Sequence, residues 1–388
     1  MYRVGVVTGT RAEYGLLRPL IQRIHEDSLL ELYLIVTGAH LEESFGYTCR
    51  EIEEDPFPIS RKVKMDLVSD TPPGLCRSMG KEMQGMGEAL GGAGLDLLIL
   101  LGDRYEILIA AAAASVFNIP VAHIHGGEIT QGAVDDAMRH AITKMSCLHF
   151  AATKEYAMRI IQMGEQPERV FHVGALGVES IRDMRFLSRE ELAERYTKRF
   201  LNPYIMVTYH PVTLDGQPAE EQLRALLAVI SENPEYNYIF TYANADKGGA
   251  SINHVTDAFV KEHPNTAVFQ SMGRHGYLSA LKWAKMTVGN SSSGIIEAPS
   301  LRIPSVDIGD RQKGRTSGES VIHCGNEAWE IQAAFQKAAQ PEFLFKCREC
   351  VNPYEGVRTC EAILEAIKRA LEQGICIQKT FYDIGGVQ

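Results

Sequence analysis

The chain has 388 residues, of which 45% are hydrophobic and 23% charged, and its formal net charge is −10. This composition excludes a disordered chain, and the length predicts two domains because one hydrophobic core seldom organises so many residues. The acidic balance argues against nucleic acid or an anionic membrane as the main partner, although local arginines could still hold an anionic small molecule.

The N-terminus and the apolar segments predict a cytoplasmic protein. The first residues enter a strand pattern at once and lack the basic and apolar regions of a signal peptide. The longest apolar run, Ile107 to Phe117, is too short to cross a membrane. Of the eight cysteines, only Cys347 and Cys350 have metal-like or redox-like spacing, and no second pair accompanies them. We therefore expect reduced cysteines rather than a zinc site.

Short apolar runs alternate with amphipathic stretches along almost the whole chain, which is typical of βα units around a parallel sheet. Strands are predicted first at 2–7, 32–36, 95–101, 120–124, 148–151 and 170–173, with helices at 14–26 and 105–117. After a charged helical segment at 188–200, strands are predicted at 204–209, 238–242, 267–270, 286–288 and 305–307, and a final helix at 359–373.

This pattern predicts an α/β fold of two Rossmann-like domains, whose parallel sheets face a central cleft. We place the N-terminal domain at 1–175, the C-terminal domain at 176–370 and a tail at 371–388. In such sheets, ligands bind beyond the carboxyl ends of the strands, so the loops that follow the strands are where functional residues are expected.

Two loops of the first domain carry candidate residues. The loop at 8–15 lies where a phosphate loop would lie, but it matches neither the dinucleotide fingerprint nor a P-loop. Its Arg11 could contact a phosphate or simply cap the turn. Asp103 and Arg104 follow the most hydrophobic strand, where partial desolvation suits a carboxylate to proton transfer, although an aspartate there can also cap the next helix.

The densest group of functional side chains follows the strand at 120–124. Alternation along a strand places its two histidines on one face, and two glycines then let the backbone approach a ligand closely. Because these glycines interrupt the usual ligand spacings, acid–base chemistry is favoured over metal binding. The group consists of His123, His125, Glu128, Asp135, Asp136, Arg139 and His140.

The second domain carries candidate anion-binding segments. His210 follows its first predicted strand and Asn244 the next. The segment 289–294 places small hydroxyl residues at a predicted helix N-terminus, where N–H groups attract an anion, unless it is only a capped turn. Glu297 lies one turn further on, where it could bind ribose hydroxyls. The segment 309–315 supplies three cations for a diphosphate, unless it is a solvated loop.

Seven segments in this order make the chain recognisable: TRAEYG, GDRYE, HIHGGE, DDAMRHAITKMS, HPVT, GNSSSGIIE and GDRQKGR. With them, residues 1–370 resemble the hydrolysing UDP-N-acetylglucosamine 2-epimerases of sialic-acid biosynthesis. The resemblance implies a two-domain fold like that of GT-B glycosyltransferases, an interdomain active site, a homodimer and a nucleotide-diphosphate sugar as ligand.

The resemblance also implies roles for individual residues. Asp103 and Asp135 would be the acid–base pair, assisted by His125, Glu128 and His210. Many family members have a glutamate in place of His125, which leaves open which group moves the proton there. The predicted nucleotide contacts are Arg11, His210, Asn244, Ser291, Ser292, Glu297, Arg311 and Arg315. The predicted sugar pocket consists of Arg104, His123, Asp136, Arg139 and His140.

The family reaction is an elimination followed by a hydration. A base removes the C2 proton while the diphosphate leaves C1, and water and a proton then add to the resulting glycal with inversion at C2. We expect no metal and no cofactor. The alternatives are a UDP- or GDP-linked 2,4-diacetamido-2,4,6-trideoxy sugar as substrate, a non-hydrolysing epimerase, a glycosyltransferase and a catalytically silent nucleotide-sugar sensor.

Overall fold

A computed structural model describes residues 1–67, 69, 71–131, 134–182, 184–212, 218–243 and 248–385. The chain forms two compact units. The first consists of Met1–Glu128, Asp135–Glu179 and Gly356–Gln388, and the second of Ile129–Val134 and Ser180–Glu355.

The first unit is built on a seven-stranded sheet. Its strands are β1 (Tyr2–Thr8), β2 (Leu30–Val36), β3 (Ile59–Lys62), β4 (Leu97–Leu101), β5 (Val121–Ile124), β6 (Leu148–Ala151) and β7 (Val170–His172). All neighbours are parallel, in the order β3-β2-β1-β4-β5-β6-β7. The helices are α1 (Arg11–Glu26), α2 (Cys49–Glu53), α3 (Pro72–Leu90), α4 (Tyr105–Val116), α5 (Asp135–Met145) and α6 (Lys154–Gln162). A seventh helix, α7 (Leu176–Arg182), begins in this unit and ends in the second.

Burial on both faces explains the sequence of the central strand β4, which is apolar throughout. Leu97 and Ile99 pack with residues of α1, whereas Leu98 and Leu100 pack on the opposite face with residues of α3 and α4. A strand buried in this way ends where polar residues begin, so Asp103 lies just beyond its carboxyl end.

The second unit repeats this architecture with six strands. They are β8 (Tyr204–Thr208), β9 (Asn237–Thr241), β10 (Thr266–Phe269), β11 (Thr287–Gly289), β12 (Ser305–Ile308) and β13 (Val321–Cys324). All are parallel, in the order β10-β9-β8-β11-β12-β13. The helices are α8 (Arg189–Arg195), α9 (Ala219–Glu232), α10 (Gly249–Glu262), α11 (Gly273–Trp283), α12 (Ser293–Ile296), α13 (Ala328–Ala338) and α14 (Pro341–Glu349).

The last helix, α15 (Thr359–Gln373), lies in the first unit. Its Ile363 and Ile367 share a buried cluster with Leu17 and Leu20 of α1. The division drawn from the sequence placed this helix in the second domain. The chain instead returns to the first unit, because the apolar face of α15 completes the cover of that sheet.

Two Rossmann-like units with parallel sheets confirm the predicted fold class. Every strand predicted from the sequence is present, with its ends within two residues of the predicted ends. The edge strands β3 and β13 were not predicted. In the parts of the chain that the structure describes, no helix has the length and hydropathy of a membrane span. All eight cysteines are free thiols.

Candidate functional site

Asp103 is held by a buried arginine. Nη2 of Arg139 donates a hydrogen bond to Oδ2 of Asp103, and Nη1 of Arg139 lies 3.8 Å from Oδ1 of Asp136. Arg139 is only 2% exposed, whereas the Asp103 side chain keeps 21% of its surface accessible. A guanidinium stays protonated, so it orients the carboxylate and does not compete with it for protons. Asp103 is therefore a fixed but accessible carboxylate.

Three further predicted residues, Asp135, Asp136 and His140, lie on α5 near Arg139. Asp135 and Asp136 occupy its first turn, where the helix dipole stabilises acidic side chains. His140 lies one turn after Asp136, with 3.6 Å between Nε2 and Oδ2. Burial lowers the pKa of His140, which favours the neutral imidazole. The start of α5 thus combines carboxylates with a histidine that can accept a proton.

His123 is a buried side chain that contacts the residue before Asp103. It has no exposed surface, and its Nε2 lies 2.7 Å from the carbonyl oxygen of Gly102, while Nδ1 lies 3.1 Å from Oγ1 of Thr143. Because a carbonyl only accepts, Nε2 carries the proton and Nδ1 is the acceptor. Burial lowers the pKa of His123 to about 3. It therefore fixes the residue before Asp103 and does not line a pocket.

His125 and Glu128 form a second pair. His125 has a φ of +67°, which turns the chain sharply, and its Nδ1 lies 3.1 Å from Oε1 of Glu128. Among the described residues, Nε2 of His125 has no hydrogen-bond partner. Gly127 is required here, because a Cβ would lie 2.4 Å from the carbonyl oxygen of Tyr156. An imidazole this close to a carboxylate is a candidate for proton transfer.

In the loop after β1, a nearby carboxylate already accepts hydrogen bonds from the backbone N–H groups. Oε2 of Glu13 accepts hydrogen bonds from the N–H groups of Gly9 at 2.8 Å and Thr10 at 3.2 Å. These are amides that a phosphate-binding loop would offer to its ligand. Arg11 forms two bonds of 2.9 and 2.8 Å to the carboxylate of Glu51. A phosphate would compete with Glu51 for Arg11.

Arg104 is paired with a buried carboxyl group. Its Nε lies 2.8 Å from Oε1 of Glu106, which is 1% exposed. Nearby Glu82 is fully buried and accepts a hydrogen bond of 3.1 Å from the Thr37 hydroxyl. Burial, together with the charge of Glu106, raises the pKa of Glu82 to about 9. The neutral carboxyl group of Glu82 thus lies near Glu106, the partner of Arg104.

Replacing Glu82 by Gln is expected to change how stability depends on pH. Between 4.5 and about 9, the folded chain keeps a proton on Glu82 that the unfolded chain has lost, so stability falls as pH rises. The fall is at most about 1.4 kcal/mol per pH unit. Glutamine has no such proton. The free energy of unfolding of E82Q, measured with urea, should therefore rise relative to that of the wild type between pH ~6 and pH ~8. A difference that is the same at both pH values would contradict this.

In the second unit, Asn290 holds the predicted residue His210. The Oδ1 of Asn290 accepts from the N–H of His210 at 2.7 Å, and its Nδ2 donates to the carbonyl of His210 at 2.8 Å. Asn290 is fully buried and His210 is 5% exposed. No role was predicted for Asn290 from the sequence, although a polar residue directly after a glycine at a strand end was an available signal. Asn244, predicted as a nucleotide contact, lies outside the described residues.

The carboxylate of Glu297 is engaged on both oxygens. Nη1 of Arg274 lies 2.8 Å from Oε1, and the Ser293 hydroxyl donates to Oε2 at 2.5 Å. Tyr277 donates in turn to Ser293 at 3.0 Å, and burial together with Glu297 raises the pKa of Tyr277 to about 12. Arg274 was not predicted, because it lies on another helix with no motif around it. These bonds fix the orientation of the Glu297 carboxylate.

The serine-rich turn after β11 precedes a helix of one turn only. Ser291 and Ser292 are half-buried, and α12 runs from Ser293 to Ile296. Few peptide dipoles are therefore aligned, and an anion here would bind individual N–H and hydroxyl groups.

The basic loop at 309–315 is hydrogen-bonded to Asn290, directly before the serine-rich turn. Nη1 of Arg311 and Nε2 of Gln312 donate to the carbonyl oxygen of Asn290, at 3.1 and 2.9 Å. Nη2 of Arg315 donates to Oγ1 of Thr130 at 3.3 Å. The loop therefore brings cations towards the residues that follow β8 and β11. Within the described ranges, no three His, Cys, Asp or Glu side chains form a group that could hold a metal.

Comparison with known proteins gives consistent matches over the whole chain. Residues 22–368 match the sequence profile described as UDP-N-acetylglucosamine 2-epimerase. The chain is 38% identical to the GDP/UDP-N,N'-diacetylbacillosamine 2-epimerase (hydrolyzing) of Campylobacter jejuni, covering 88% of each chain. It is 37% identical to polysialic acid biosynthesis protein P7 of Escherichia coli, over 99% of this chain and 98% of that one.

The fold is also shared with solved structures. The UDP-GlcNAc 2-epimerase of Neisseria meningitidis, solved with UDP-GlcNAc, superposes with a TM-score of 0.79 at 16% identity, covering 95% of this chain and 100% of that one. The Methanocaldococcus jannaschii enzyme superposes with a TM-score of 0.75 at 18% identity, covering 95% and 99%. At these identities, the likeness establishes the fold alone.

Proposed function

This chain belongs to the UDP-N-acetylglucosamine 2-epimerase family, and we propose that it hydrolyses UDP-N-acetylglucosamine to UDP and free N-acetylmannosamine. The family membership confirms the resemblance read from the sequence. The observation that carries the proposal is the accessible Asp103 carboxylate, oriented by the buried Arg139 beside the acidic first turn of α5. The two faces of a sugar need two proton-transfer groups, and this site offers carboxylates from two different elements.

The chemistry assigned to the first unit is proton transfer. One carboxylate of the pair Asp103 and Asp135 takes the C2 proton as the C1–O bond breaks and UDP leaves with that electron pair. Water then adds its hydroxyl to C1 of the glycal, and C2 receives a proton on the opposite face. His125, whose Nδ1 lies 3.1 Å from Oε1 of Glu128, is proposed to relay protons. Positioned acid–base groups of this kind accelerate reactions by roughly 10²–10⁴-fold.

The chemistry assigned to the second unit is stabilisation of the leaving diphosphate. The C2 proton is weakly acidic, so negative charge must build up on the diphosphate as the proton leaves. His210, the Ser291–Ser292 turn and the cations Arg311 and Arg315 are the groups proposed to meet that charge, and Glu297 to bind the ribose. Preorganised donors that meet a developing charge are worth several kcal/mol, about 3–4 for a single oxyanion donor.

A second substrate is favoured by one of the relatives. The Campylobacter jejuni protein, 38% identical, is named for N,N'-diacetylbacillosamine linked to GDP or UDP. The same elimination and hydration would apply, because C1 and C2 carry the same groups in both sugars. A 2,4-diacetamido-2,4,6-trideoxy sugar on UDP or GDP is therefore the second candidate.

Proton NMR in deuterated water tests both candidates. With UDP-N-acetylglucosamine, we expect free N-acetylmannosamine that carries deuterium at C2, together with released UDP. Turnover of only the diacetamido sugar would assign the second candidate instead. A UDP-linked epimer would establish the non-hydrolysing reaction, and the absence of turnover with every nucleotide sugar would contradict the proposal.

A further inference from the structure

The chain after α15 forms a strap, which we define as residues 376–382. It has no helix or strand, yet it is tied to the first unit along its length. Nε2 of Gln166 donates to Oγ1 of Thr380 at 2.8 Å, and the N–H of Tyr382 donates to the carbonyl of Gly164 at 2.9 Å. From the sequence, this segment was predicted only as a tail, and the reaction proposed above gives it no role.

Lys379 is the centre of the strap. Its ammonium group donates to the carbonyl oxygens of Lys144 and Ser146, both at 2.7 Å, and to Oε2 of Glu165 at 2.8 Å. Lys144 lies in the last turn of α5, and Ser146 follows the end of that helix. The last carbonyls of a helix lack intrahelical partners, and a cation there also offsets the helix dipole. Lys379 therefore caps α5 from a distant part of the sequence.

The buried carboxylate of Glu165 strengthens the contact between Lys379 and the first unit. It is 1% exposed, and its carboxylate also accepts from Nζ of Lys144 at 2.5 Å and from Nε2 of His149 at 3.0 Å. Burial alone would raise the pKa of Glu165, but hydrogen bonds from His149, Lys144 and Lys379 hold it at about 2. Loss of Lys379 would leave a buried carboxylate with fewer counterions and two helix-end carbonyls without their donor.

The helix capped in this way carries much of the proposed site. Arg139 holds Asp103, and Thr143, directly before Lys144, bonds to His123. A shift of about 1 Å at a reacting group can cost roughly 10²-fold in rate.

We propose that Lys379 is a positioning residue for the reaction and that the strap fixes the C-terminal end of α5, so that Arg139 holds Asp103 where proton transfer requires it. The effect on turnover rests on the proposed function, whereas the fixing of α5 does not.

The test compares Lys379→Gln with a matched control, Lys368→Gln. Lys368 lies on α15 and forms an ion pair of 2.6 Å with Asp27 of the same unit, at the end of α1. For K379Q, we expect kcat to fall by at least about tenfold with KM within about twofold, and amide exchange along α5 to rise. For K368Q, kcat and exchange in α5 should match the wild type. Lys379→Arg, which keeps the charge, should recover part of kcat and also serves if K379Q does not fold.

Two results would overturn the proposal. One is a wild-type kcat in K379Q, and the other is an equal loss of kcat in K368Q, which would reveal a general loss of stability. If the wild-type protein turns over no nucleotide sugar, the proposed function fails. Amide hydrogen exchange then tests by itself whether the strap fixes the C-terminal end of α5. Faster exchange of α5 in K379Q but not in K368Q would then support the strap, and equal exchange would overturn it.

Discussion

Replacing Asp103 by Asn is expected to lower kcat by about 10³-fold while the affinity for UDP stays unchanged. Asparagine has the same size, and its side-chain oxygen can still accept the hydrogen bond from Arg139, so the site keeps its shape. It cannot take up a proton in this role, so a step that depends on the carboxylate is lost. Apart from Arg11, the residues proposed to bind the nucleotide lie in the second unit, so UDP binding should survive.

Steady-state kinetics and titration calorimetry with UDP measure these two quantities. Asp27→Asn is the matched control, because Asp27 is also a carboxylate of the first unit in a short contact with a cation, Lys368, at 2.6 Å. The control should keep its kcat within about twofold, as expected for a change away from the reacting atoms. A near-normal kcat in D103N would remove Asp103 from the mechanism.

Replacing Gly289 by Ala is expected to destabilise the second unit by about 3 kcal/mol and to weaken UDP binding. Gly289 has a φ of +137°, and an added Cβ would lie 1.9 Å from the carbonyl oxygen of Thr208. Backbone atoms cannot move aside as a flexible side chain can, so β8 and β11 would have to separate. Asn290 follows directly and would lose its two bonds to His210.

Thermal unfolding and UDP calorimetry test this expectation. Gly92→Ala is the control, because Gly92 also has a positive φ, +75°, but nothing lies within 4 Å of the added Cβ. The control should cost only the strain of the left-handed backbone, about 1–2 kcal/mol, and should leave UDP binding intact. If G289A were no worse than G92A, the close approach of the two strands would not matter for stability.

Local sequence identified the central strands and the loops that follow them. A strand buried on both faces must be apolar along its whole length, as β4 is, and the loop after it must then carry the polar residues. The edge strand β3, with the sequence ISRK, lacked this signal because one side of an edge strand faces solvent. The strand β13 lies at an edge of the second sheet, and only Ile322 of its four residues is buried, so it lacks a continuous buried apolar run.

The sequence by itself determined the α/β class, the family and the loops in which the candidate residues lie, because periodicity and ordered motifs are local properties. Only the tertiary structure decided which side chains meet. Arg139 reaches Asp103 across 36 positions of sequence, and Lys379 caps a helix end 235 positions away. The return of α15 to the first unit was decided in the same way. Such pairs depend on how βα units pack against one another, and no local pattern records the distance between residues that packing brings together.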